Sequence, residues 1–139
     1  MTPLTSYSFG TRLSGGVAEI RPRVEAALKA EGFGILTEID VQATLTAKLG
    51  VERAPYLILG ACNPPLANRA IEADPSVGTL LPCNVVLRAD GDETIVEALD
   101  PMAALGIVDT DGVRPVAIEA RERLERVVRS LETTEEGAS

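Results

Sequence analysis

The chain has 139 residues, with 13 Lys+Arg against 21 Asp+Glu for a formal charge of −8, and it lacks histidine and tryptophan altogether. Without histidine there is no Ser-His-Asp triad, no Cys-His dyad and no Cys/His zinc ligand set. A negative surplus removes the main source of affinity for a phosphate backbone, and two Tyr with two Phe cannot build a stacking platform, so no nucleic-acid partner is expected.

A chain of this length reads as one domain that buries a core without disulfides or metal. Its core spans about residues 6–131, and a frayed tail follows at 132–139. Met1 to Tyr7 has no basic start followed by an apolar stretch, and the longest strongly apolar run, Tyr56 to Ala61, is far below the ~20 residues a membrane helix needs. The expectation is a cytoplasmic protein with no membrane partner, whose two cysteines are free thiols.

Ser6 to Leu13 reads as a first strand, ended by Ser14-Gly15-Gly16. Val17, Ile20, Val24, Ala27 and Leu28 recur at helical spacing up to Gly32 or Gly34. Pro22 interrupts that pattern, predicting a kink or a later start near Arg21. Phe33 to Ile39 is a second strand, and Asp40 caps a short helix, Val41 to Leu49, stopped by Gly50. A third strand runs from Pro55 to Ala61. Asn63 and Pro64 then open a helix through Ala73, ended by Asp74-Pro75. Leu80 to Ala89 and Glu93 to Leu99 form a hairpin around Asp90-Gly91. Asp100 before Pro101 reads as a cap or turn residue, and a helical stripe of Val113, Val116, Ala120, Leu124, Val127, Val128 and Leu131 closes the chain. A βα start with a later hairpin favours α+β, an antiparallel-rich sheet with helices on one face, and a parallel α/β sheet is the alternative.

Cys62 follows a strand and precedes a helix N-terminus, where free N–H groups and the dipole would lower a thiol's pKa and make it nucleophilic; Pro64 and Pro65 weaken this by removing donors. The plainer reading is a small buried hydrophobe. Cys83 repeats the Cys-Asn pair 21 residues on, at Cys83-Asn84. The pair could sit side by side as a redox couple, but the spacing is not a close C-x-x-C, and no metal or cofactor is assigned. Glu38 and Asp40 share a strand face, as an acid–base pair would require, although a solvated strand end and a helix cap already explain them.

Three segments together are distinctive: Glu38 to Leu45 (Glu-Ile-Asp-Val-Gln-Ala-Thr-Leu), Pro55 to Ala67 containing Gly60-Ala61-Cys62-Asn63-Pro64-Pro65, and Leu80 to Val86 containing Pro82-Cys83-Asn84. In this order they resemble the small prokaryotic family catalogued as domain of unknown function 302, over about Tyr7 to Pro101. The resemblance implies an α+β domain of the TATA-binding-protein-like fold class, usually a homodimer, with no established activity and no implied DNA binding. Its characteristic positions gather at strand ends and caps, and the sequence departs from the pattern at Ala54 and at Asn68-Arg69.

These readings converge on a homodimeric ligand-binding or sensing domain for a small molecule. Its expected pocket is lined by Cys62, Asn63, Cys83, Asn84 and Tyr56, with Glu38 and Asp40 nearby. Two alternatives stand beside it. One is a thiol-dependent enzyme or redox protein using Cys62 with Glu38 or Asp40 moving protons. The other is an interaction dimer without a ligand.

Overall fold

The structure, a computed structural model, describes residues 2–138, with side chains described as far as residue 133. Its strands are β1 (Thr2–Pro3), β2 (Ser8–Ser14), β3 (Gly34–Asp40), β4 (Tyr56–Cys62), β5 (Cys83–Asp90) and β6 (Glu93–Leu99). Its helices are α1 (Val17–Ala30), α2 (Val41–Leu49), α3 (Pro64–Ala73), α4 (Pro101–Leu105) and α5 (Val113–Ala138). The strands form one sheet in the order β1-β2-β6-β5-β4-β3, and every neighbouring pair is antiparallel. The domain is α+β, and the parallel alternative is excluded.

The register separates the two faces. Phe9, Ala98, Val85 and Leu59 are aligned across β2, β6, β5 and β4 and all are buried. Against this face pack Ile20, Val24 and Leu28 of α1 with Leu124, Val127 and Val128 of α5. Each such aliphatic side chain withdrawn from water contributes about 1.5–3 kcal/mol before entropy is counted. The opposite face carries a half-exposed apolar row, Ile39, Ile58 and Val86, in register on β3, β4 and β5.

A second cluster forms where Leu66 and Ala70 of α3, Val77 of a 3-10 turn (Pro75–Leu80) and Leu105 of α4 pack on Val113, Val116, Ala117 and Ala120 of α5. The first half of α5 thus serves one cluster and the second half the other.

Pro22 neither delays nor ends α1, which runs from Val17. Pro22 and Ala18, whose carbonyl loses its partner, are both exposed, so water can satisfy the orphan group. Two short elements were hidden in the sequence. Asp74 does more than end a helix, and Asp100 is the cap that the sequence offered: each caps a new turn, accepting from Ser76 and Met102 N–H respectively. Helix α5 also continues past Leu131 to Ala138, since an established helix extends at little cost where no proline intervenes. Among the described residues, no helix is long and apolar enough to cross a membrane.

Candidate functional site

The two cysteines meet at one end of the sheet, where β4 finishes at Cys62 and β5 begins at Cys83, whose register partner is Ala61. The chain turns there from β4 into α3, and the segment after the 3-10 turn, Leu81-Pro82, returns across the same end. Between the sheet end, α3 and α5 lies a cleft of ≈ 310 Å³. Phe33, Ala61 and Cys83 of the first cluster form one wall, and Leu66, Ala70, Val116 and Ala120 of the second form the other. Cys62, Asn63 and the exposed Leu36 and Ile71 complete it.

Gly60 makes this close approach possible. A Cβ at that position would lie 2.1 Å from Thr37 Oγ1 and 2.8 Å from Pro82 Cγ. The side chain of Asn63 is committed in two directions. Its Oδ1 accepts from Leu66 N–H at 3.3 Å, capping α3, and its Nδ2 donates to the Glu31 carbonyl at 3.3 Å.

That cap reverses the expectation for Cys62. Pro64 and Pro65 have no N–H, Leu66 N–H is taken by Asn63 Oδ1, and Ala67 N–H by the Asn63 carbonyl at 2.9 Å. No donor of the first turn remains for a thiolate. Burial therefore governs, pushing the Cys62 thiol up rather than down. Cys83, buried more deeply, is pushed up to about 11, chiefly by burial and secondarily by the nearby Cys62. Both cysteines are free. Near neutral pH they are neutral thiols, behaving as small apolar groups with weak S–H donors.

The structure joins Cys62, Asn63 and Cys83, and it sets the other candidates elsewhere. Asn84 is exposed and opposite Gly60 on the open face. Tyr56 lies at the far end of β4, six residues or roughly 20 Å from Cys62. Glu38 pairs with Leu59 in register and its carboxylate accepts from Arg21 Nε. Asp40 caps α2, accepting from Ala43 N–H at 2.9 Å. Neither carboxylate lines the cleft, because β3 carries both away from the Cys62 end towards α2. Among the described residues, no three His, Cys, Asp or Glu side chains gather as a metal site. The cleft walls from α3 and α5 escaped the sequence reading. The small residues Ala70 and Ala120 within the apolar stripes were the available signal, since small side chains leave room between helices.

An antiparallel sheet backed by two helices, with an apolar two-thiol cleft at one end, defines a small α+β domain. The chain belongs to the domain of unknown function DUF302 family, whose model matches residues 9–131. It is similar to the crystal structure of an uncharacterized conserved protein DUF302 from Bacillus stearothermophilus. That likeness has 28% identity and a TM-score of 0.82, covering 90% of this chain and 98% of the other. No curated protein matches the chain.

Proposed function

We propose that this domain binds or senses a small molecule in the cleft at Cys62, Asn63 and Cys83, and that it works as a homodimer. The observation that carries the reading is a ≈ 310 Å³ cleft between two separately packed clusters, at the low end of the range that small-molecule sites occupy. Asn63 supports it by tying α3 to the end of α1 at the cleft wall, and Gly60 by letting Pro82, which lines the cleft, approach closely. The row Ile39, Ile58 and Val86 on the uncovered face supports the homodimer, since a second copy can bury it.

A thiol nucleophile is the weaker reading, because the raised Cys62 pKa leaves little thiolate near neutral pH. Thermal-shift screening of small molecules against the wild type and the cleft-filling variant Ala67→Met tests the binding reading. Compounds that stabilise the wild type and not the variant support it, and equal responses throughout reject it. Light scattering on the same sample tests the dimer, and a monomer mass at high concentration rejects that part.

A further inference from the structure

Resting on the cleft reading above, we infer that the cleft takes an uncharged, predominantly apolar small molecule of roughly ten non-hydrogen atoms, and discriminates against anions and cations of the same size. Four observations bear on this. Among the described residues that line the cleft there is no Asp, Glu, Lys or Arg. Its two ionisable groups are the thiols of Cys62 and Cys83, which are neutral under ordinary conditions. Its one amide, Asn63, already spends its oxygen on Leu66 N–H and a hydrogen on the Glu31 carbonyl. The whole chain carries −8, so its field opposes the approach of an anion.

A charged ligand would lose its hydration shell there and find no counter-charge, which costs far more than burying a neutral group. A sugar or nucleotide would leave many donors and acceptors unpaired for the same reason. An apolar body gives up no hydrogen bonds to water on entering, and gains contacts with Phe33, Leu66 and Val116. A single hydroxyl or carbonyl can remain at the mouth beside Cys62, which is only half-buried. The size follows from the volume. At about 30 Å³ per heavy atom, the share of a water molecule in the liquid, ≈ 310 Å³ holds roughly ten.

The test is a matched set of probes, 1-octanol, octanoate and octylammonium, titrated separately near neutral pH, the alcohol below its solubility limit and the two ions below their micelle concentrations. Backbone amide shifts of Leu66, Ala67, Ala70 and Cys83 report on the cleft. The expected result is saturable shifts at these amides with 1-octanol, with an affinity at least about tenfold tighter than for either ion. The shifts should vanish in Ala67→Met. Ile71→Phe, at an exposed position on the mouth, serves as a second blocking variant. Octanoate or octylammonium moving the same amides with equal or greater affinity overturns the ligand class and leaves the cleft as a binding site. Shifts confined to other regions, or no response to any of the three probes, overturn the ligand class; if the library screen also finds no cleft-dependent binder, the cleft reading falls with it.

Discussion

The side-chain amide of Asn63 donates to the main-chain carbonyl of Glu31, 32 residues earlier, and so ties the start of α3 to the end of α1. The same carbonyl accepts from Arg123 Nη1 of α5 at 3.1 Å, which brings three helices to one oxygen. Asn63→Ala removes both the cap and this tie and is expected to cost about 1–2 kcal/mol in urea unfolding. Asn63→Asp, which keeps the capping oxygen, is expected to fall between the two.

Gly60 is expected to tolerate no side chain. Gly60→Ala drives a methyl group against Thr37 and the Pro82 ring, for an expected loss of about 1–3 kcal/mol. The double variant Gly60→Ala/Thr37→Ala removes the nearer obstacle and should recover part of that loss, measured in the same unfolding experiment.

Alkaline pH should unfold the domain partly through Cys83. Its thiol titrates near 9.0 when unperturbed and at about 11 when folded. Between those values the unfolded chain has released the proton and the native state still holds it, so stability falls as pH rises. The contribution of this group is fully present below pH 9, and its loss is expected to reach roughly 2–3 kcal/mol by pH 11. The slope between those pH values should be shallower in Cys83→Ala than in the wild type. An unchanged slope would show that burial does not hold the proton on this sulfur.

The carboxylates first considered for acid–base chemistry should prove local. Glu38→Gln loses a partly exposed pair with Arg21 and is expected to change stability by less than about 1 kcal/mol. Asp40→Ala loses the α2 cap, for an expected cost near 1 kcal/mol, while Asp40→Asn is nearly neutral. None of the three should alter the affinity of a cleft ligand, as read by the amide shifts of Ala67 and Ala70.

The elements were largely legible because their signals are local. Asp40 with Gly50 bounds α2, and Asn63 with Pro64 opens α3, each as the cap chemistry requires. The 3-10 turn was not legible, and α4 only through the capping option at Asp100, since an Asp-Pro pair serves equally well to end one element and to start the next. The cleft was visible only in part. Cys62, Asn63 and Cys83 stand out in the sequence, but Phe33, Val116 and Ala120 meet them through tertiary packing that no spacing along the chain encodes. Glu38 and Asp40 illustrate the opposite limit: a shared strand face brought them together, and the direction of β3 then took them away from the thiols.

The register of Ser8 with Leu99 also bears on how the chain is made. During synthesis β2 emerges before its hydrogen-bonding neighbour β6, which follows some ninety residues later, several seconds at typical elongation rates of about 5–20 residues per second. Phe9 and Leu13, both destined for the interior, have to wait throughout that interval for their long-range partner. The hairpin of β5 and β6, joined by the tight turn at Gly91, can close as soon as it leaves the ribosome. The growing domain therefore completes its sheet by bringing its oldest full-length strand to one of its youngest, and a chaperone that shields Ser8–Ser14 would protect the strand that waits longest.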